Sequence, residues 1–181
     1  MNALIKALGI FAAIPLLVSA CDGQSVHAEQ TRASTVVATS YQVVLGKSLN
    51  NGDVVNFIAS NDCSSAADFE LCKEAGVALW IDANQIVKIV YLYAGNADGF
   101  RRYRGPLPYE LSFYDPMWRV EEKLMDLDST NILYQAGLPE EEGSPDHMHY
   151  WAVYKRLSMT VIYNSPGKDE DAYIYAILMS Q

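Results

Sequence analysis

Apolar positions along the chain change period several times, and each change marks an element. Folded structure is predicted to begin near Tyr41, in Tyr41-Gln-Val-Val-Leu. Ser48-Leu-Asn-Asn-Gly-Asp supplies capping residues, and Val54, Phe57 and Ile58 follow at i, i+3, i+4 spacing, which predicts a short amphipathic helix. A loop holding Cys63 and Cys72 comes next. Gly76–Ile81 and Ile86–Tyr93 are β-branched and aromatic runs around the polar Asp82-Ala-Asn-Gln, the pattern of a hairpin. Strict alternation would put Val87, Ile89, Tyr91 and Tyr93 on one face and Val90 and Leu92 on the other. Residues 94–111 are irregular, punctuated by Asp98-Gly99, Pro106 and Pro108. Asp115 fits the N-cap of a second helix and Pro116 its first position, where no N–H is needed. Met117, Val120, Leu124 and Leu127 would form its apolar stripe. A short apolar block, 131–136, and an acidic loop, 137–146, follow. Tyr150–Tyr154, Leu157–Tyr163 and Asp171–Met179 then read as strands, the last two joined by a turn at 165–170. Each half therefore gives a capped helix, a loop and strands. The predicted fold is α+β: two helix-plus-antiparallel-strands units, 41–97 and 98–181, with the helices packed on one face of an antiparallel sheet.

The first twenty residues break this texture. Lys6 precedes an apolar core from Ala7 to Val18, and the small residues Ser19 and Ala20 close it, the layout of a secretory signal. A membrane-spanning helix needs about 20 apolar residues, and the core is shorter and contains Gly9 and Pro15, so a single-span anchor is the weaker reading. Residues 21–40 are small and polar with no sustained period. They read as a flexible tether spanning roughly 25 Å r.m.s., with His27 solvated within it. The remaining residues, 41–181, are the folded domain.

Charge and cysteines narrow the chemistry. The whole chain carries a formal net charge of −9, and loss of the leader with Lys6 makes it one unit more negative. Such a surface repels nucleic acid and suits a basic protein partner. Cys63 and Cys72 form a pair in an oxidising compartment, where a structural disulfide is the default reading. Their spacing and the lack of a nearby histidine argue against a redox or metal pair.

Candidate chemistry is sparse. Asp146-His147-Met148-His149 would aim His147 and His149 the same way if extended, but no third metal ligand is identifiable. No nucleophile motif, metalloprotease motif or phosphate-cradling glycine loop is present, and no cofactor is implied. Phe100-Arg101-Arg102-Tyr103-Arg104 is the one basic cluster, with aromatics interleaved. Arg101, Arg102, Tyr103 and Arg104, with the acidic run Glu140, Glu141 and Glu142, are the candidate partner contacts. The many tyrosines and tryptophans are expected mostly in the core, with a minority on an exposed sheet face.

Val18-Ser19-Ala20-Cys21 resembles the bacterial lipobox. That resemblance implies cleavage before Cys21 and lipidation of its thiol, and it places the domain in the cell envelope, facing the periplasm. Asp22 resembles an inner-membrane retention signal whose rule varies between bacteria, so either membrane stays open. Residues 98–124 and 150–154 resemble small bacterial proteins of toxin-immunity neighbourhoods. The residues that carry the likeness are Phe100 and Tyr103, a Gly105-x-Leu107-Pro108 turn, a capped helix, and the aromatic strand Trp151-x-x-Tyr154. The doubled helix-plus-strands plan is similar to β-lactamase-inhibitor-protein-like folds. Both resemblances imply a non-enzymatic binding protein that occludes a partner protein. The alternatives are an envelope lipoprotein supporting assembly of a membrane complex and, behind it, a metal-dependent hydrolase using His147 or His149.

Overall fold

The computed structural model describes residues 40–128, 132–136 (backbone) and 149–181. Cys21 and the tether, Glu140, Glu141, Glu142 and His147 lie outside the described residues. Helix α1 (Gly52–Ser60) starts where the side chain of Asn51 accepts from the Asp53 N–H, and it buries Val54 and Phe57. The loop expected between the cysteines is a hairpin instead, β1 (Ser64–Ala66) paired with β2 (Phe69–Cys72). Its serines and acidic residues carry no apolar alternation, so periodicity could not reveal it. A disulfide joins Cys63 to Cys72, with Cα atoms 4.1 Å apart. It ties the end of β2 to the exit of α1, where the Cys63 N–H donates to the Ile58 carbonyl.

Strands β3 (Val77–Ile81) and β4 (Val87–Tyr93) form the predicted hairpin. A bulge between Trp80 and Ile81 shifts the register, so Val87 faces the core with Val90 and Leu92. The expectation that Val87 shares a face with Ile89, Tyr91 and Tyr93 is corrected by that extra residue, since one slip reverses the face. Helix α2 (Met117–Asp128) buries Met117, Val120 and Leu124, as predicted. Leu127 is exposed, and the fully buried neighbour is Asp128, whose carboxylate accepts from the Arg156 N–H at 2.9 Å. Asp115 is not a helix cap: its carboxylate turns back to the Ser112 N–H at 2.7 Å and to Lys123 at 2.8 Å. Strands β5 (Ile132–Ala136), β6 (Tyr150–Tyr154), β7 (Met159–Tyr163) and β8 (Ile174–Ser180) complete the elements.

Among the described residues the molecule is α+β and strand-rich, with two α-helices and one antiparallel sheet of eight strands in the order β1-β2-β3-β4-β8-β7-β6-β5. The chain's last strand is therefore central. Its halves run through matching events. A 3-10 turn, Lys73–Ala75, ends in left-handed Gly76 before β3, and Lys155–Leu157 ends in left-handed Ser158 before β7. The β3–β4 bulge at Trp80/Ile81 has its counterpart in β7–β8 at Ile162/Tyr163. Isolated bridges, Ser48 to Ile86 and Pro116 to Tyr173, precede β4 and β8 alike. The halves meet along β4 and β8, where Tyr91 opposes Leu178.

One row of the core runs across six strands through Cys72, Val77, Leu92, Ile177, Val161 and Ala152. A second runs through Leu79, Val90, Met179, Met159 and Tyr154. Both rows, with the apolar residues of α1 and α2, belong to a single buried cluster. Burying a side chain of this size stabilises the fold by roughly 1.5–3 kcal/mol.

Candidate partner-binding surface

Side chains alternate along a strand, so the residues between those core positions emerge on the opposite face of the sheet. Three rows make up that face. Phe69, Trp80, Ile89 and Ser180 form one, Leu71, Ala78, Tyr91, Leu178, Thr160 and Val153 another, and Tyr93, Ala176, Ile162 and Trp151 the third. Ala78, Ala176 and Ile162 are buried, whereas the large aromatics Phe69, Trp80, Tyr91, Tyr93 and Trp151 are half-buried. This is a largely apolar layer that remains in contact with solvent.

Its rings touch in sequence. Phe69 and Tyr91 are 5.8 Å apart between centroids, Tyr91 and Tyr93 are stacked at 6.4 Å, and Tyr93 and Phe100 are stacked at 4.1 Å. Tyr175, the extra residue of the β7–β8 bulge, meets Tyr93 edge-on at 6.4 Å and the His149 ring at 4.1 Å. The Tyr175 hydroxyl donates to Asp98 at 3.0 Å. His149 is fixed from behind, with Nδ1 3.1 Å from the Tyr163 carbonyl. A run of six rings thus crosses from β2 to the start of β6. The closest face-to-face contact among them is that of Tyr93 on Phe100.

The loop after β4 closes one end of this face. Gly76 has φ +71°, and a Cβ there would lie 2.3 Å from the Arg101 carbonyl oxygen and 2.4 Å from the Tyr103 nitrogen. Only glycine lets the loop lie so close. The Arg101 and Tyr103 N–H groups donate to the Lys73 and Tyr93 carbonyls at 2.9 and 3.0 Å. Phe100 is held between Tyr93 and the Lys73 ammonium, which lies 5.8 Å from its ring centre.

The predicted contact residues separate accordingly. Arg101 is exposed and paired with Glu74 at 2.8 Å. Arg102 is exposed, donates through Nε to the Ala94 carbonyl at 2.8 Å, and lies 4.5 Å over the ring of Tyr114, whose hydroxyl it also contacts. Arg104 is exposed. Tyr103 belongs to the core, where burial raises its phenol pKa above the ordinary value. Gly105 exists to accommodate it, since a Cβ would fall 2.0 Å from the Tyr103 hydroxyl oxygen. Of the aromatic-strand residues, Tyr154 is buried and Trp151 half-buried. Among the described residues no group of three His, Cys, Asp or Glu side chains gathers to hold a metal ion, and no helix is long and apolar enough to cross a membrane.

Periodicity missed three surface aromatics. Tyr114, Tyr173 and Trp118 are 68%, 50% and 45% exposed. The bridge between Pro116 and Tyr173 brings their segments together, and the Trp118 N–H donates to the Glu170 carbonyl. Arg119 lies 5.7 Å from the Trp118 ring centre. The available signal was an aromatic immediately before or after a turn, out of step with the buried positions on either side. Arg102, which lies over Tyr114, also bonds the Ala94 carbonyl, and the Ala94 N–H donates to the Tyr175 carbonyl.

No protein-family model, curated protein or solved structure matches the chain.

Proposed function

We propose that this chain is a lipid-anchored, periplasm-facing binding protein of the immunity or inhibitor type, which occludes a protein partner without catalysis. In this reading the chain is two fused helix-plus-strands units. Both helices cover the core face of the sheet, and Cys21 carries the lipid. The observation that carries the proposal is the half-buried aromatic layer on the other face, beside which Arg102 lies over exposed Tyr114. Tyrosine, tryptophan and arginine dominate the energetics of protein interfaces. The formal charge of −9 favours a partner with a basic surface.

The test has two arms. Radiolabelled palmitate should be incorporated into the full chain and not into Cys21→Ser, which should also leave the membrane fraction. The partner recovered with the anchored chain should bind Arg102→Ala/Tyr114→Ala at least tenfold more weakly, about 1.4 kcal/mol. Equal labelling of both chains removes the anchor from the proposal, and unchanged affinity removes the surface.

A further inference from the structure

The repeated backbone gives the β1–β2 hairpin a counterpart. Cys72 pairs with Val77 across the Lys73–Ala75 turn, and Tyr154 pairs with Met159 across the Lys155–Leu157 turn, so β2 and β6 align residue for residue. On the open face the two strands are alike: Phe69 and Leu71 are half-buried, as are Trp151 and Val153. On the core face they differ at every position. Where the second half buries Tyr150, Ala152 and Tyr154, the first has exposed Asp68, half-buried Glu70 and buried Cys72. Among the described residues of β1 and β2, Cys72 alone is buried, and β1 is exposed along its length.

Backbone bonds hold an outer strand weakly, because water offers the same donors and acceptors. On its core face β6 adds the burial of two tyrosines. There β2 adds a covalent bond instead, from Cys72 to Cys63 at the exit of α1. The Cys63 N–H is pinned in turn to the Ile58 carbonyl at 3.2 Å. The disulfide stands where Tyr154 stands in the second half and does by a bond what that ring does by packing. A bond of this kind can be opened by chemistry alone, whereas packing cannot. Cys63 is half-buried and Cys72 fully buried, so a thiolate arriving from solvent meets the Cys63 sulfur first.

We propose that Cys63–Cys72 is a thiol–disulfide exchange site that latches the β1–β2 hairpin, and that a dithiol reductant releases the hairpin from β3 while the rest of the sheet stays closed. One thiolate of the reductant attacks Cys63 Sγ, the S–S bond breaks, and Cys72 leaves as a thiolate that takes up a proton. The reductant's second thiol loses its proton, attacks its partner sulfur in the mixed disulfide and expels the Cys63 thiolate, which is protonated in turn. The reductant gives up two electrons and ends as a disulfide, and the chain gains two thiols. The pair is acted upon and is not itself an oxidoreductase centre, in keeping with its wide spacing. Release bares the outer edge of β3. The inference depends neither on the docking reading nor on the lipid anchor.

The experiment is hydrogen exchange of the full chain, read by mass spectrometry before and after native reduction with dithiothreitol. An aliquot alkylated after denaturation confirms that Cys63 and Cys72 are free thiols. Amides of residues 64–72 should exchange about thirtyfold faster once reduced, whereas those of 150–163 should stay within about threefold. Cys63→Ser should show the fast hairpin exchange with no reductant present. Circular dichroism checks that this variant is folded, and the reduced parent decides the matter if it is not. A hairpin that keeps its protection after reduction overturns the inference. Faster exchange spread equally through 150–163 overturns it as well, since the bond is then a staple for the whole domain. So does a disulfide that dithiothreitol opens only in the denatured chain.

Discussion

Tyr154 shows what burial does to one group. Its phenol lies beneath the sheet's core face, and desolvation raises its pKa from 10.0 to about 12, only partly offset by the neighbouring Tyr163 hydroxyl. The unfolded chain releases that proton near pH 10, the folded chain near 12, so ionisation favours unfolding. Stability is full below pH 10 and falls as the pH rises toward 12, by a loss on the order of 2 kcal/mol. Urea titrations across this range should show that decline, and Tyr154→Phe should lessen it, leaving the shares of the other buried phenols, Tyr41, Tyr103 and Tyr150, which burial raises as well. The acid side has its own residue. The Asp82 carboxylate accepts from the Ile86 and Asn84 N–H groups in the β3–β4 turn, and these bonds hold its pKa below the ordinary value. It stabilises the fold above the usual carboxylate range, and that contribution disappears as pH falls through its own lower pKa. Asp82→Ala should remove this part of the acid dependence.

At the scale of elements, the turn between β2 and β3 and the loop after β4 form one unit. Gly76→Ala would impose a left-handed alanine and drive its Cβ into the Arg101 carbonyl. The cost should exceed about 2 kcal/mol, and the loop that carries Arg101 and Arg102 should shift with it. The β1–β2 hairpin depends on a covalent tie. Cys63→Ser/Cys72→Ser should lower stability by about 2–3 kcal/mol, read as a lower denaturation midpoint. These elements also mark what the sequence could disclose. Helix α1, the β3–β4 hairpin, the buried part of α2 and the last three strands were legible because one face of each is apolar at the proper period. The β1–β2 hairpin was not, since Ser64, Ser65 and Glu70 give no period to read. The bulge after Trp80 reversed the side assigned to Val87, and Asp128 replaced Leu127 in the core because the Arg156 N–H needed an acceptor. In the candidate site, Arg101, Arg102 and Arg104 were legible as a basic cluster, but Tyr103 within it is core. The open face itself was hidden, since which tyrosines reach solvent depends on pairing between strands distant in sequence. The Glu140–Glu142 run stays an expectation, outside the described residues.

For the whole molecule, the binding reading proposed above has charge govern encounter more than grip. A strongly acidic protein meeting a basic partner should associate faster at low salt, and association should slow by about tenfold between roughly 20 and 300 mM salt while dissociation changes little. Stopped-flow association measured across that range would check it. A salt-independent rate would mean that the contact is made by the aromatic layer without steering.

The placement of β8 has a consequence for how this protein is made. The strand that joins the two halves is the last of the eight along the chain, seated between β4 and β7. A polypeptide emerging N-terminus first, from a ribosome or a translocation channel, has seven earlier strands, β1–β4 and β5–β7, able to zip into two blocks and still no seam. Until residues 174–180 arrive, the exposed edge of β4 offers Val90 and Leu92 to any passing strand. Synthesis therefore passes through a vulnerable interval whose length is set by the stretch from β4 to β8, and holding factors have their greatest purchase there.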